Sequence, residues 1–177
     1  KSKNKSTYTG SIEGDEALMR EKCYEGLKYR YPNASDNIYK RLETELEAIF
    51  KMNFCSYFLI NWNIVTYARS KKYFYVGRGS GANSIAAYCL RITDVDPVEL
   101  DLYFERFINP YRVNPPDFDI DFSWKDREDI IQYIFNTFAN KHTALLATYS
   151  TFQYNSVIRE LGKVFGLPKN EIDELVE

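Results

Sequence analysis

Apolar residues recur every three or four positions in the first third of the chain, which is the spacing of one helix face. The positions of Met19, Cys23 and Leu27 predict a first helix over residues 12–31. Ser35, a residue type favoured at N-caps, predicts the start of a second helix. The apolar residues of the second and third predicted helices are Ile38, Leu42, Leu46, Ile49 and Phe50, followed by Phe58, Trp62 and Val65.

The rest of the chain alternates short β-prone runs with helical segments. Strands are predicted at residues 73–76, 117–122 and 144–148. Helices are predicted at residues 83–90, 97–107 and 126–138, and from about 150 to 165. A stiff connection with three prolines is predicted over residues 109–116. Helices that flank a few short strands predict an α/β or α+β domain.

Composition and charge narrow the class of protein. The chain has 177 residues, of which 45% are hydrophobic, and a net charge of −2, which excludes intrinsic disorder. The longest uncharged run, residues 52–68, is too short and too polar to span a bilayer. The three cysteines lack any C-x-x-C pairing and are interpreted as reduced core residues rather than a disulfide frame or zinc site. No signal peptide or initiator Met is visible, so we expect a piece of a larger protein.

The segment Asp117–Phe122 carries the clearest chemical signal. Strand side chains alternate between faces, so Asp117, Asp119 and Asp121 are predicted to share one face, opposite three apolar side chains. Neighbouring carboxylates on that face would lie about 7 Å apart. A row of like charges is costly unless a cation compensates, and Mg²⁺ typically binds one or two carboxylates together with substrate phosphates. The favoured interpretation is a metal site.

Two other interpretations of this segment stay open. It can be an edge strand with a solvated acidic face, or a carboxylate set for general acid–base catalysis. One row of carboxylates does not supply the two opposed groups that glycosidases use. An EF-hand loop is excluded because it requires Gly at its sixth position, which is Phe122 here.

A glycine-rich loop lies between a predicted strand and a predicted helix. Gly79 and Gly81 allow the backbone to approach an anion closely, while Arg78 and Ser80 add donors suited to phosphate oxygens. The loop matches neither the Walker A nor the G-x-G-x-x-G pattern. By itself this loop is as typical of a plain loop or helix start as of a phosphate site. Beside a carboxylate strand it indicates phosphoryl or nucleotidyl transfer.

Taken together, these motifs resemble the catalytic alpha subunit of bacterial DNA polymerase III, the replicative C-family polymerase. The resemblance covers about residues 15–177 in family order. Its motifs are Tyr57–Ile60, Gly77–Ala82, Ile92–Pro97, Phe104–Pro110, Pro116–Phe122 and Val157–Glu160. It implies template-directed DNA synthesis by two-metal nucleotidyl transfer from a dNTP to a primer 3′-hydroxyl. The rival interpretations are another metal-dependent nucleotidyltransferase and a non-catalytic DNA-binding module.

The resemblance also implies a domain order and a set of site residues. It implies a flexible lead-in at residues 1–10, a polymerase-beta-like nucleotidyltransferase palm over residues 11–149 and the start of a helical thumb over residues 150–177. By motif position, the catalytic metal-binding residues would be Asp119 and Asp121, with Asp117 as a supporting carboxylate. The residues that would bind the triphosphate are Arg78, Gly79, Ser80 and Gly81.

Cofactors and partners follow from the same resemblance. The implied cofactor is a pair of Mg²⁺ ions, which Mn²⁺ can replace, and the implied partners are primer–template DNA and a dNTP. In the full-length protein the implied partners would also include the sliding clamp and other replisome subunits. The implied location is the cytoplasm, at the nucleoid, with no membrane partner. The family's third catalytic aspartate would lie beyond residue 177, so we expect the chain alone to be catalytically incomplete. Arg159 and Lys163 form a modest basic helix face, which would either grip duplex DNA or be merely solvated.

The chain departs from the family pattern at two places. Tyr75 and Val76 stand where relatives usually have Gly-Pro, so the entry to the glycine loop is expected to differ. Residues 150–152 read Ser-Thr-Phe in place of Gly-Thr-Met, and Asn155 replaces a common Lys. The phosphate contact of that Lys is therefore not expected here.

Overall fold

A computed structural model describes residues 5–109 and 117–176. The first four residues of the predicted lead-in and the proline-rich stretch at residues 110–116 lie outside the described residues. The helices are α1 (Ile12–Arg30), α2 (Asp36–Lys51), α3 (Cys55–Ser70), α4 (Ile85–Cys89), α5 (Arg127–His142), α6 (Tyr154–Val164) and α7 (Lys169–Glu174). The strands are β1 (Tyr75–Arg78) and β2 (Asp119–Phe122), and short 3₁₀ turns cover Gly79–Asn83 and Phe104–Arg106.

The architecture is α+β and dominated by helices. β1 and β2 pair antiparallel, with Arg78 opposite Asp119 and Val76 opposite Asp121. The chain divides into two compact units, Lys1–Thr143 and Ala144–Glu177. The first contains α1–α5 and the sheet, and the second contains α6 and α7. Within the described residues, no helix combines the length and apolarity needed to cross a membrane.

The core of the first unit forms where α1, α2, α3 and α4 meet. Its fully buried side chains include those that the helical spacing predicted, namely Met19, Leu27, Leu42, Leu46, Ile49 and Phe58. Gly26 lets α1 approach α4 closely, because a Cβ on Gly26 would lie 1.8 Å from the Cys89 carbonyl oxygen. The first three predicted helices are confirmed.

The two-stranded sheet of β1 and β2 lies on this core through one of its two faces. Ile120 and Tyr75 pack against the buried cluster, and the Tyr75 hydroxyl donates to the carbonyl of Arg91 at 2.6 Å. Gly77 is buried against the segment after α4, where the Thr93 hydroxyl donates to the Gly77 carbonyl at 3.0 Å. The opposite face of the sheet carries charged side chains and is open to solvent.

Two predicted elements are wrong. Residues 97–107 form turns and one 3₁₀ turn rather than a helix. The Asp96 carboxylate accepts hydrogen bonds from the backbone N–H groups of Val98 and Glu99, which caps one turn. Asp101 then adopts φ +48°, and this left-handed backbone ends the turn because it cannot continue a right-handed helix. Residues 144–148 form no strand: they are exposed, and within the described chain no other strand pairs with them. A strand without a ladder partner leaves its backbone groups unpaired.

Two predicted strand boundaries also shift. β1 begins at Tyr75 rather than at Tyr73, and it extends to Arg78 because β2 continues to pair with it there. β2 begins at Asp119, so Asp117 and Phe118 precede the ladder. The predicted helix at residues 83–90 is divided between the 3₁₀ turn and α4, whereas α5 and α6 confirm the last two helix predictions.

Candidate metal and phosphate site

The exposed face of the β1–β2 sheet brings two carboxylates together with one guanidinium. Arg78 donates through Nε to Asp121 Oδ2 at 2.7 Å and through Nη1 to Asp119 Oδ2 at 3.4 Å. About half of each side chain is exposed. The ion pair with Asp121, and then the charge of Asp119, raise the pKa of Arg78. The cluster therefore carries two acids and one base on a solvent-facing surface.

An aromatic cluster fixes which face the carboxylates occupy. Phe118 precedes β2 and packs inward against Phe58 and Phe107, with ring centroids 5.1 and 5.0 Å apart. Tyr57 stacks on Phe118, and its hydroxyl accepts the Phe118 backbone N–H at 2.6 Å. Because strand side chains alternate, an inward Phe118 and an inward Ile120 direct Asp119 and Asp121 outward. The predicted shared face of Asp119 and Asp121 is confirmed.

Asp117 lies outside the two-stranded ladder. It precedes β2 and lines a cavity of about 810 Å³ with Lys5, Phe54 and Phe138 among its other walls. Across the described ranges, no group of three or more Asp, Glu, His or Cys side chains is arranged to hold a metal ion. Asp119 and Asp121 therefore share the ladder face, and the part of Asp117 as a third carboxylate of that row stays a prediction.

The glycines of the loop serve two different purposes. Gly79 adopts φ +79°, and a Cβ there would lie 2.8 Å from Asp119 Oδ2, so the loop passes directly beside that carboxylate. Gly81 is buried, and a Cβ there would lie 2.5 Å from the Phe118 ring. Gly81 thus permits close packing under the loop, whereas Gly79 borders the carboxylate face. Ser80, the next residue, is partly exposed.

Glu45 is a residue that the sequence reasoning missed. It is buried in α2 and accepts hydrogen bonds from the Ser84 hydroxyl at 2.8 Å and the Ala86 backbone N–H at 3.3 Å. An internal carboxyl therefore already accepts hydrogen bonds from the groups at the start of α4. The available signal was a Glu within the apolar stripe of the second predicted helix, three residues after Leu42.

Arg41, one turn before Glu45, connects the loop to its surroundings. Its guanidinium donates to the backbone carbonyls of Asn83, Pro97 and Leu102, and lies 3.4 Å from Glu45. The Asn83 side chain in turn donates to the Ser80 carbonyl at 2.8 Å. These contacts hold the end of the glycine loop on α2, which fixes where Ser80 lies.

The pH dependence of stability tests the buried state of Glu45. Burial raises its pKa to about 7, against the opposing effect of its hydrogen bonds. The folded chain then keeps a proton that the unfolded chain releases near pH 4.5. The contribution of Glu45 to stability is therefore complete below that pH and is lost as the pH rises through about 7. We expect this group to lower the free energy of unfolding by about 2 to 3 kcal/mol across that window.

Urea unfolding at a series of pH values measures this effect. The Glu45→Gln variant should lose the pH-dependent part, whereas Glu47→Gln, an exposed position on the same helix, should retain it. A difference between wild type and Glu45→Gln that stays constant from pH 4.5 to 8 would contradict the prediction.

The predicted DNA-contacting residues of the second unit are both ion-paired. Arg159 lies 2.6 Å from Asp173, and Lys163 lies 2.7 Å from Glu160. Both cations remain about half exposed or more. They lie on α6, which packs on α7 where Gly162 meets Ile172.

Comparison with known proteins places the chain in a family. The model of the bacterial DNA polymerase III alpha NTPase domain matches residues 17–177. The DNA polymerase III subunit alpha of Borreliella burgdorferi is 43% identical over 154 residues, which are 86% of this chain and 13% of that protein. The corresponding subunit of Bacillus subtilis is 42% identical over 88% of this chain and 14% of that protein.

A second group of relatives carries a different name. The error-prone DNA polymerase of Symbiobacterium thermophilum is 40% identical over 91% of this chain and 15% of its own length. The chain belongs to the bacterial DNA polymerase III alpha family. It spans only 13–15% of the length of these curated relatives.

Proposed function

We propose that this chain forms part of the catalytic site of a DNA polymerase, where a nucleotidyl group passes from a dNTP to a primer 3′-hydroxyl. The observation that carries the proposal is the exposed pair Asp119 and Asp121, with Arg78 between them and Gly79 beside them. The names of the relatives, which are DNA polymerase III subunit alpha and error-prone DNA polymerase, support the same assignment.

The carboxylate pair fits divalent metal ions by its donor chemistry. Oxygen ligands suit Mg²⁺ and Mn²⁺, and two exposed carboxylates on one strand face leave room for waters and phosphates. Asp119 and Asp121 would be the ligands, and Asp117 remains a proposed support that would have to approach from outside the strand. Two such ions would lower the pKa of the attacking hydroxyl and neutralise charge on the transferring phosphoryl group.

The reaction needs one substitution at phosphorus. The primer 3′-oxygen forms a bond to the α-phosphorus, the bond from that phosphorus to the bridging oxygen of pyrophosphate breaks, and the hydroxyl proton leaves to solvent. In this proposal Arg78 and the Ser80 hydroxyl bind phosphate oxygens. Gly79 keeps the loop close to Asp119, Gly81 allows it to pack, and the contacts of Arg41 hold its position.

The two ends of the chain are proposed to belong to different parts of a polymerase. We assign residues 11–149 to a palm of the polymerase-beta-like type and residues 150–177 to the start of a thumb. Arg159 and Lys163 would contact DNA phosphates by exchanging their present partners, Asp173 and Glu160. Exposed ion pairs contribute little to stability, so the exchange is inexpensive.

Mn²⁺ binding followed by EPR tests the metal assignment. We expect weak, saturable binding to the chain, with the signal of free Mn²⁺ restored in the Asp119→Asn, Asp121→Asn double variant. The matched control is Glu47→Gln with Glu99→Gln, which removes the same charge at exposed positions elsewhere. Equal Mn²⁺ binding by the wild type and the double Asn variant would contradict the proposal.

A further inference from the structure

We propose that Arg78 determines what the carboxylate pair binds: it disfavours free divalent cations and admits them together with a polyphosphate. The inference rests on the proposed function, because it takes Asp119 and Asp121 as the metal ligands. It makes Arg78 an exchangeable counter-ion that alternates between two partners, rather than a residue that only contacts phosphate.

The first step is that Arg78 already occupies the cation position. Its Nε donates to Asp121 Oδ2 at 2.7 Å, and its Nη1 donates to Asp119 Oδ2 at 3.4 Å. Across the described ranges, neither carboxylate has an ion pair with any other cation. A free divalent ion would have to share these oxygens with a unit positive charge at contact distance, and the repulsion between the two cations weakens its binding.

The second step is that Arg78 can leave at low cost. The side chain and both its partners are about half exposed, and exposed ion pairs contribute little to stability. Arg78 ends β1, so its backbone stays fixed by the ladder opposite Asp119 while its side chain rotates. No rearrangement of the fold is therefore needed to release the two carboxylates.

The third step is that an alternative partner would lie within reach. Gly79 follows Arg78 directly, and the loop runs so close to Asp119 that a Cβ there would lie 2.8 Å from Oδ2. A polyphosphate seated at Gly79 and Ser80 would present pairs of oxygens that the planar guanidinium can bind with two donors. Its negative charge would also favour a divalent ion between it and the released carboxylates. Binding of the two ligands is thereby coupled in both directions.

Mn²⁺ titration of Arg78 variants tests the first half of the inference. In the absence of phosphate, Arg78→Gln should bind Mn²⁺ about tenfold more tightly than wild type, and Arg78→Lys should fall between them because an ammonium lacks the two-donor fork. Arg127→Gln, an exposed position with the same change of charge, should stay within about twofold of wild type. An unchanged Mn²⁺ affinity in Arg78→Gln would overturn the inference.

NMR of the arginine side chain tests the exchange itself. The Nε–Hε signal of Arg78 is assigned as the one that is absent from the Arg78→Gln variant. In metal-free buffer with a chelator, inorganic tripolyphosphate should shift this signal, and the shift should saturate. A signal that does not respond to tripolyphosphate would overturn the exchange.

The two hypotheses fail in different ways. Loss of Mn²⁺ binding in the Asp119→Asn, Asp121→Asn variant, without a gain in Arg78→Gln, contradicts the role of Arg78 and leaves the proposed metal site intact. Mn²⁺ binding that survives the double Asn change removes the proposed metal site and the inference with it.

Discussion

Replacing Asp119 and Asp121 together by Asn is expected to lower primer extension by about a thousandfold or more, because both proposed metal ligands lose their charge while the β1–β2 sheet keeps its shape. Asn is nearly isosteric with Asp, and both positions are exposed, so folding should be unaffected. The assay would use a chimaera in which this chain replaces the segment of the Bacillus subtilis DNA polymerase III subunit alpha to which it is 42% identical.

The chimaera provides its own controls. The unmodified version must extend a primed template when Mg²⁺ is supplied, and the Glu47→Gln, Glu99→Gln version should match it within about twofold. Full extension by the double Asn chimaera would show that this carboxylate pair is not catalytic. The extent of Mn²⁺ binding by the isolated chain would then distinguish a structural metal site from a merely solvated acidic face.

The Gly77→Ala substitution is expected to destabilise the first unit by about 3 kcal/mol. Its Cβ would lie 1.9 Å from the Ile92 carbonyl oxygen and 3.1 Å from Thr93 Cα, and both are backbone atoms that cannot rotate away. The β1–β2 sheet would have to move off the core, which would also displace Asp121 and Arg78. Urea unfolding measures the loss.

Gly10→Ala is the matched control for this prediction. Gly10 has φ +111° and no atom within 4 Å of the added Cβ, so only the strain of the backbone should appear, at about 1 to 2 kcal/mol. Equal losses in the two variants would mean that the close approach at Gly77 relaxes without cost.

Local pattern was sufficient for the helices of the core and for the orientation of the carboxylate strand. The spacing of Met19, Cys23 and Leu27 reports directly which face of α1 is buried. The alternation after Asp117 in the same way directs Asp119 and Asp121 to one face, even though the ladder begins only at Asp119. The motif resemblance to the DNA polymerase III alpha family is confirmed by the family match over residues 17–177.

Local pattern failed where one residue's backbone conformation or a missing partner outweighed propensity. Residues 97–107 have helical composition and the Asp96 side chain caps their first turn, but the left-handed backbone of Asp101 ends that turn. Residues 144–148 are β-prone, but β-propensity describes how a side chain fits a sheet and requires a strand to pair with. In the described chain they have none.

The faces of single helices and strands follow from the order of residues along the chain, because periodicity depends on backbone geometry within one element. The pairing of Arg78 with two aspartates more than forty positions away does not, since it requires β1 and β2 to lie side by side in one register. The burial of Glu45 beneath the start of α4 likewise depends on how α2 packs. Contacts between distant residues are set by packing of the whole core, and these contacts determine which charges surround the candidate site.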